Sequence, residues 1–306
     1  MRILVTRKIH ISAIKLLKEK GLEVISFDVN KPLDPKYLTD NINKFDGVLT
    51  CVSERIDRNI LLKTNGRLRV ISNMAVGLDN IDVEFAKSLG IKVFNTPGVV
   101  TAPTADMTIG LAFTLLRKIR EADHFVRQGS WKAWDPEIFL GRNFSSLVWG
   151  IIGYGNIGKA VAKRLAGFGM KILFYDPVAS QDDSIACSAG IDELLKQSDV
   201  ISLHLPLNRE TRDFLDNSRF GLMKNSTIII NMARGGVINS DALLEALKNH
   251  TVAGAALDVF DPEPIPSDHE ILSLDNVILT PHIGTATIEC RREMAELAAI
   301  NIINNI

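Results

Sequence analysis

Cysteine is scarce in this sequence. Its 3 cysteines, Cys51, Cys187 and Cys290, are odd in number, far apart and without a Cys-x-x-Cys pair, which argues against both a disulfide framework and a zinc site. They read as small buried hydrophobes, and no metal is expected. Long apolar runs are missing too: nothing approaches the ~18 residues that would span a bilayer. The opening Met-Arg-Ile-Leu-Val-Thr-Arg meets a charge too soon for a secretory signal, so a cytoplasmic protein is expected. Neither sign of charge prevails. With Lys and Arg totalling 35 against 36 Asp and Glu, the net charge is -1, so no global field would hold nucleic acid or an anionic membrane, and neither is expected as a partner. Internal repeats and low-complexity tracts are also absent.

The sequence does have core-forming material. Hydrophobic residues make up 46% and charged residues 23% of 306 residues, a composition far from disorder and a length that favours two domains. Short β-rich runs alternate with helical patterns, the rhythm of parallel sheets covered by helices on both faces, so the fold class is α/β with two doubly wound parallel-sheet domains. The first series has strands at 3–6, 23–27, 47–50, 69–72 and 92–94, with helices such as 12–20 and 83–89 between them. A long helical stretch over about 103–127 then serves as a connector, followed by a loop with Trp131, Trp134, Pro136 and Phe139. The second series has six strands, at 147–152, 171–175, 200–203, 227–231, 253–257 and 277–279. A last helix at 288–301 lies beyond that sheet and can return to the first series. The expected domains are therefore residues 1–98 with 287–306, flavodoxin-like, and residues 99–286, a Rossmann domain.

The run Leu147-Val-Trp-Gly-Ile-Ile-Gly153-Tyr-Gly155-Asn-Ile-Gly158 is an apolar strand followed by Gly-x-Gly-x-x-Gly and a helix. Gly153 allows the tight turn, Gly155 lets the backbone approach a pyrophosphate, and Gly158 lets helix pack on strand. The next strand ends in Asp176, about 20 residues on, where a carboxylate accepts hydrogen bonds from the ribose hydroxyls of NAD and repels the 2′-phosphate of NADP. No arginine follows in residues 177–180 to reverse that preference. NAD(H) is the expected cofactor, with NADP(H) as the alternative; a bland reading in which Asp176 only caps a turn stays open.

Three polar residues fall at or just after later strand ends: Arg234 in Asn-Met-Ala-Arg-Gly-Gly, Glu263 in Leu-Asp-Val-Phe-Asp-Pro-Glu-Pro, and His282 in Leu-Thr-Pro-His-Ile-Gly. Reduction of a 2-keto acid needs a cation for carboxylate and carbonyl, a proton donor working near neutrality, and a carboxylate to orient that donor. Arginine offers a planar fork of donors, and a carboxylate beside histidine stabilises the imidazolium. Each residue alone has an ordinary structural reading; their order and surroundings are what single them out.

With those motifs in place, the chain resembles the D-isomer-specific 2-hydroxyacid dehydrogenases over nearly its whole length. The resemblance implies Arg234, Glu263 and His282 as a catalytic triad, Asp258 near the nicotinamide, and Tyr154, Asn156 and Ile157 against the pyrophosphate. It also implies cofactor contacts from Thr104, Leu205, Met232, Ala233 and Gly284, and D stereochemistry for the hydroxy acid. The stretch Asn73-Met-Ala-Val76-Gly77-Leu-Asp79-Asn80-Ile-Asp82 follows a strand and precedes a helix, so its amides could receive a carboxylate, as the family uses this loop. The alternative is that Asp79 or Asn80 merely caps the helix.

Three stretches look most like the glyoxylate and hydroxypyruvate reductase branch: Trp131-Lys-Ala-Trp134-Asp-Pro-Glu-Ile-Phe-Leu-Gly, Thr96-Pro-Gly-Val-Val-Thr-Ala-Pro-Thr-Ala-Asp and Pro281-His-Ile-Gly-Thr-Ala-Thr. In that branch a tryptophan of this loop reaches the partner's active site in a homodimer, and Trp134 is its candidate here; packing on its own domain is the alternative. Asp176 departs from members that carry Arg or Ser there and use NADPH. The ending at Asn305-Ile306, shorter than many relatives, suggests a missing terminal strand. Phosphoglycerate dehydrogenase, whose phosphate would call for cations that residues 73–82 lack, is the first alternative, with 2-ketogluconate and D-lactate types beside it. An NAD-sensing corepressor is a further one, and the chain lacks the added tails that would recruit partners. The expected ligands are NAD(H) and a small-molecule 2-keto or 2-hydroxy acid.

Overall fold

The computed structural model describes residues 1–28, 31–179 and 184–306. It divides into two compact units, Met1–Val100 with Thr285–Ile306, and Thr101–Gly284.

The first unit runs β1 (Arg2–Val5), α1 (Ile11–Glu19), β2 (Glu23–Ser26), α2 (Pro35–Asn41), β3 (Gly47–Thr50), α3 (Arg58–Leu61), β4 (Val70–Asn73), α4 (Val83–Ser88) and β5 (Lys92–Phe94). Among the described residues its five strands form a parallel sheet in the order β2-β1-β3-β4-β5. Leu4, Val48 and Ile71 share one face and bury against Leu38, Ile60, Leu61 and Ala86 of the covering helices. β3 and β4 are buried along their whole length: each begins on apolar residues, as strands covered on both faces do, and ends on buried polar ones, Thr50 in β3 and Ser72 and Asn73 in β4.

The second unit runs α5 (Thr101–Leu116), α6 (Ile119–Arg127), β6 (Val148–Ile152), α7 (Asn156–Leu165), β7 (Lys171–Tyr175), β8 (Cys187–Ser188), α8 (Ile191–Gln197), β9 (Val200–Leu203), α9 (Asn217–Phe220), β10 (Ile228–Asn231), α10 (Ser240–Lys248), β11 (Gly254–Leu257) and β12 (Val277–Leu279). Among the described residues its seven strands are parallel in the order β12-β11-β10-β9-β6-β7-β8, so strand order reverses between β6 and β9. Trp149, Ile151, Phe174 and Ile230 face α5 and α7. Ile201, Leu203, Ile229 and Leu257 face α8 and α10. The last helix, α11 (Ile288–Asn305), belongs to the first unit, where it packs on α1, β3 and β4.

Three expectations need correction. The connector over 103–127 is two helices: Lys118 is left-handed at φ 51, and Arg120 donates to the carbonyls of Val277 at 2.6 Å and Asp275 at 2.7 Å, which redirects the chain. The second sheet has a seventh strand, β8, whose two residues are too few to show a period. Cys187 sits on that edge strand and is exposed, so only Cys290 of the three is a fully buried hydrophobe.

Candidate active site

The carboxyl end of β6 opens into the glycine loop at the reversal of strand order, the place where open α/β sheets receive ligands. Gly153 has φ 92, and a Cβ there would lie 2.7 Å from the carbonyl carbon of His204 and 3.0 Å from the Leu205 nitrogen. Only glycine lets the loops after β6 and β9 touch. A Cβ on Gly158 would lie 2.2 Å from the carbonyl oxygen of Gly153, so the third glycine seats α7 against the loop. Gly155 differs, since no atom lies within 4 Å of its Cβ position. The helix it precedes has no side-chain cap, and the amides of Asn156 and Ile157 donate to no protein group among the described residues. An open cradle before uncapped amides fits a dinucleotide pyrophosphate.

Asp176 lies at the end of β7. Its Oδ2 accepts from the Tyr154 amide at 2.8 Å and its Oδ1 from the amides of Val178 at 2.9 Å and Ala179 at 3.1 Å. Asp176 therefore does cap the turn, and this is compatible with ribose binding because a carboxylate has about four acceptor positions. Ser180, last of the stretch without arginine, lies outside the described residues. Tyr154 contributes differently from its neighbours: its amide goes to Asp176, and its ring is buried and stacks on Phe174 at 3.9 Å.

Arg234 follows β10 on a turn fixed by Asn231, whose side chain accepts from the Ala233 amide at 3.0 Å and donates to the Arg234 carbonyl at 2.9 Å. The Arg234 guanidinium donates to the Ala233 carbonyl at 2.8 Å. A Cβ on Gly235 would lie 1.9 Å from the carbonyl carbon of Phe260, so the turn after β10 is packed backbone to backbone against the one after β11. That second turn carries Glu263. Its Oε1 lies 2.5 Å from Nδ1 of His282, and its Oε2 accepts from the Phe260 amide at 3.2 Å. Burial would raise the Glu263 carboxyl, but the hydrogen bond and charge of His282, the Phe260 amide and the charge of Arg234 outweigh it and hold the group below its usual 4.5. An ionised carboxylate only accepts, so Nδ1 of His282 is the donor and Nε2 is left for chemistry.

His282 itself is left-handed at φ 55, a conformation uncommon for a residue with a side chain. Asp258 holds it there. Buried at the end of β11, Asp258 accepts from the Thr280 hydroxyl at 2.6 Å and the Ile283 amide at 2.8 Å through Oδ1, and from the Gly284 amide at 2.7 Å through Oδ2. Its carbonyl accepts from the His282 amide at 2.9 Å. Thr104, Met232 and Asp258 converge on Gly284, within 3.8, 2.8 and 3.1 Å of its Cβ position. Leu205 and Ala233 stand at the ends of β9 and β10, beside Gly153 and Arg234.

Sequence reasoning passed over His204. Its Nε2 lies 3.1 Å from the Ser202 hydroxyl, which also accepts from Trp149 at 2.9 Å, and desolvation pushes its pKa down to about 3. It is a neutral imidazole under the glycine loop, and only its packing against Gly153 could have signalled it.

In the first unit, Val76 is exposed and Gly77 half-buried on the loop after β4. The cap of α4 is Asp82, whose Oδ1 accepts from the Phe85 amide at 3.0 Å, so the capping role does not fall to Asp79 or Asn80. Asn80 turns the other way and donates to the carbonyls of Cys51 at 3.0 Å and Glu54 at 2.8 Å. Trp134 is 81% exposed, which removes the reading that it packs on its own domain.

The NAD-binding domain of the D-isomer-specific 2-hydroxyacid dehydrogenases matches residues 109–284. The chain belongs to this family. It is 42% identical to a glyoxylate reductase of Thermococcus onnurineus, over 99% of this chain and 92% of that protein. A D-lactate dehydrogenase of Aquifex aeolicus, solved with NAD and lactic acid, superposes with a TM-score of 0.85 at 31% identity, covering 98% of this chain and 94% of that one. An NADPH-dependent glyoxylate/hydroxypyruvate reductase of Sinorhizobium meliloti, solved with NADP and malonate, gives a TM-score of 0.85 at 29% identity, covering 97% and 91%. This family member accordingly carries a nicotinamide-binding Rossmann domain in its second unit.

Proposed function

We propose that this dehydrogenase reduces a small 2-keto acid, glyoxylate or hydroxypyruvate, to the D-2-hydroxy acid with NADH preferred over NADPH. The observation that carries the reading is the His282–Glu263 contact of 2.5 Å, with the charge of Arg234 acting on the same carboxylate at the strand ends of a dinucleotide-binding sheet. Bound nicotinamide supplies hydride to the carbonyl carbon. Arg234 binds the substrate carboxylate and polarises the carbonyl with its paired donors. His282 gives a proton from Nε2 to the developing alkoxide, while Glu263 fixes the ring through Nδ1 and balances the imidazolium. In oxidation His282 is the base. Asp258 acts through the turn that it holds and lies toward the nicotinamide end, with Thr104, Met232 and Gly284 grouped around it.

Asn156 and Ile157 offer amides to the pyrophosphate, Tyr154 and Gly153 shape that loop, and Leu205 and Ala233 line it. The NADH preference is supported by Asp176, whose negative charge would repel a 2′-phosphate. Val76 and Gly77 are proposed to receive the substrate carboxylate. No lysine or arginine lies in residues 73–82, which favours an uncharged 2-substituent over a phosphorylated one. The exposed Trp131, Trp134 and Leu140, together with α6, which buries no residue, support a homodimer in which Trp134 meets the partner subunit. A cytoplasmic setting, where nicotinamide cofactors and free thiols both persist, suits a chain whose Cys51, Cys187 and Cys290 are free.

The test follows consumption of NADH and NADPH with glyoxylate, hydroxypyruvate, pyruvate, 2-ketogluconate and 3-phosphohydroxypyruvate. Fast turnover of glyoxylate or hydroxypyruvate with NADH is expected. Preference for the phosphorylated acid, or tight NADH binding without turnover of any substrate, would sink the reading.

A further inference from the structure

The two sides of the peptide groups around Val76 and Gly77 are treated differently by the rest of the first unit. The Ala75 carbonyl accepts from Thr96, through its amide at 2.8 Å and its hydroxyl at 3.2 Å. The Val76 carbonyl accepts from Asn95 Nδ2 at 2.7 Å. The Gly77 carbonyl accepts from Asn73 Nδ2 at 2.9 Å. The amides of Val76, Gly77 and Leu78 donate to no protein acceptor among the described residues. In a trans peptide plane the C=O and the following N–H point in opposite directions. Fixing three successive carbonyls toward the ends of β4 and β5 therefore aims three successive amides away from them.

The anchors are themselves held. Asn73 is fully buried, and its Nδ2 also donates to Asn80 Oδ1 at 2.9 Å. The carbonyl of Asn95 accepts from Asn301 Nδ2 of α11 at 3.0 Å, and Asn301 also reaches the Ser72 hydroxyl at 3.4 Å. Asn95 and Val76 are both accessible to solvent, so water can satisfy the Val76 carbonyl if the side chain is removed. Among the described residues the Asn95 side chain is the partner that holds the Val76 carbonyl, and with it the direction of the Gly77 amide.

We propose that Asn95 is a positioning residue that, with Asn73 and Thr96, aims the amides of Val76, Gly77 and Leu78 at the carboxylate of the substrate. The inference rests on the 2-keto acid reading above. Asn95 touches no substrate in this account and acts through the peptide group that joins Val76 to Gly77.

The experiment measures KM and kcat for glyoxylate at saturating NADH, the inhibition constant of oxalate as a non-reacting carboxylate probe, and NADH affinity by fluorescence. For Asn95→Ala, KM and the oxalate constant should rise together by about fivefold, the scale of one neutral hydrogen bond, while kcat and NADH affinity stay within about twofold. Asn95→Asp should raise both constants further, because a carboxylate cannot donate to the carbonyl and repels the substrate anion. Unchanged KM and oxalate inhibition in both variants would overturn the inference alone. Absence of turnover in the unaltered protein would overturn the functional reading, and the inference with it.

Discussion

The two oxygens of Glu263 divide its work: one orients His282 and the other is tied to the Phe260 amide, so the carboxylate cannot swing away from the imidazole. Replacing His282 with alanine should lower kcat by a factor of about 10² to 10⁴ while NADH affinity changes little, as loss of an acid–base group does. A kcat that does not move would remove His282 from the mechanism. Because the folded protein holds the Glu263 carboxyl below 4.5, the dyad stays intact at neutral pH and is lost as pH falls through that lower value. Asp176→Ala should narrow the proposed preference for NADH over NADPH in kcat/KM; a preference left intact would put selectivity elsewhere. Arg234, Glu263, His282 and Asp176 stood out in the sequence because each is a polar residue at or shortly after a strand end and they occur in the order of a known family, and the structure does bring Glu263 and His282 together. Asn95, Asn231 and Asn301 did not stand out, because a side chain bonded to a carbonyl leaves no periodic trace, and Asn301 lies 206 positions from the residue it anchors.

At the level of elements, the glycines of the β6–α7 loop make a paired test. Gly158→Val should destabilise the fold, since its Cβ would sit 2.2 Å from the Gly153 carbonyl oxygen, whereas Gly155→Val should fold normally and bind NADH more weakly. Thermal melts and NADH titrations separate the two, and equal stability would contradict this division of roles. Asp199 joins the starts of β6 and β9. It accepts from the Val148 amide at 2.9 Å and pairs with Arg142 at 3.1 Å and Lys224 at 3.2 Å. Burial would raise its carboxyl, but these contacts lower it below 3.8, so its contribution to stability is present at neutral pH and lost as pH falls through the folded value. Asp199→Asn should cost about 2 kcal/mol in urea denaturation at neutral pH, and the gap should shrink in acid. Strand positions were legible here because buried parallel strands are continuous apolar runs. The break between α5 and α6 was not, since it depends on Arg120 donating to carbonyls at and just before the start of β12, more than a hundred residues away.

For the whole molecule, the exposed aromatics bear on the proposed homodimer. Trp134→Ala should shift the protein toward a lower mass in sedimentation at micromolar concentration and reduce activity in parallel; a species unchanged in mass would separate Trp134 from assembly. The doubly wound α/β plan of both units was legible from the alternation of strands and helices, while the return of α11 rested on its lying beyond the last strand of the second sheet. That return has a consequence for biosynthesis. A ribosome releases β1 to β5 first, but the helix that covers β3 and β4 is translated only after the whole of the second unit. The nascent first sheet must therefore wait with one apolar face incompletely covered while a later unit is already able to fold, which reverses the usual amino-terminal-first order and makes that face the natural client of a chaperone.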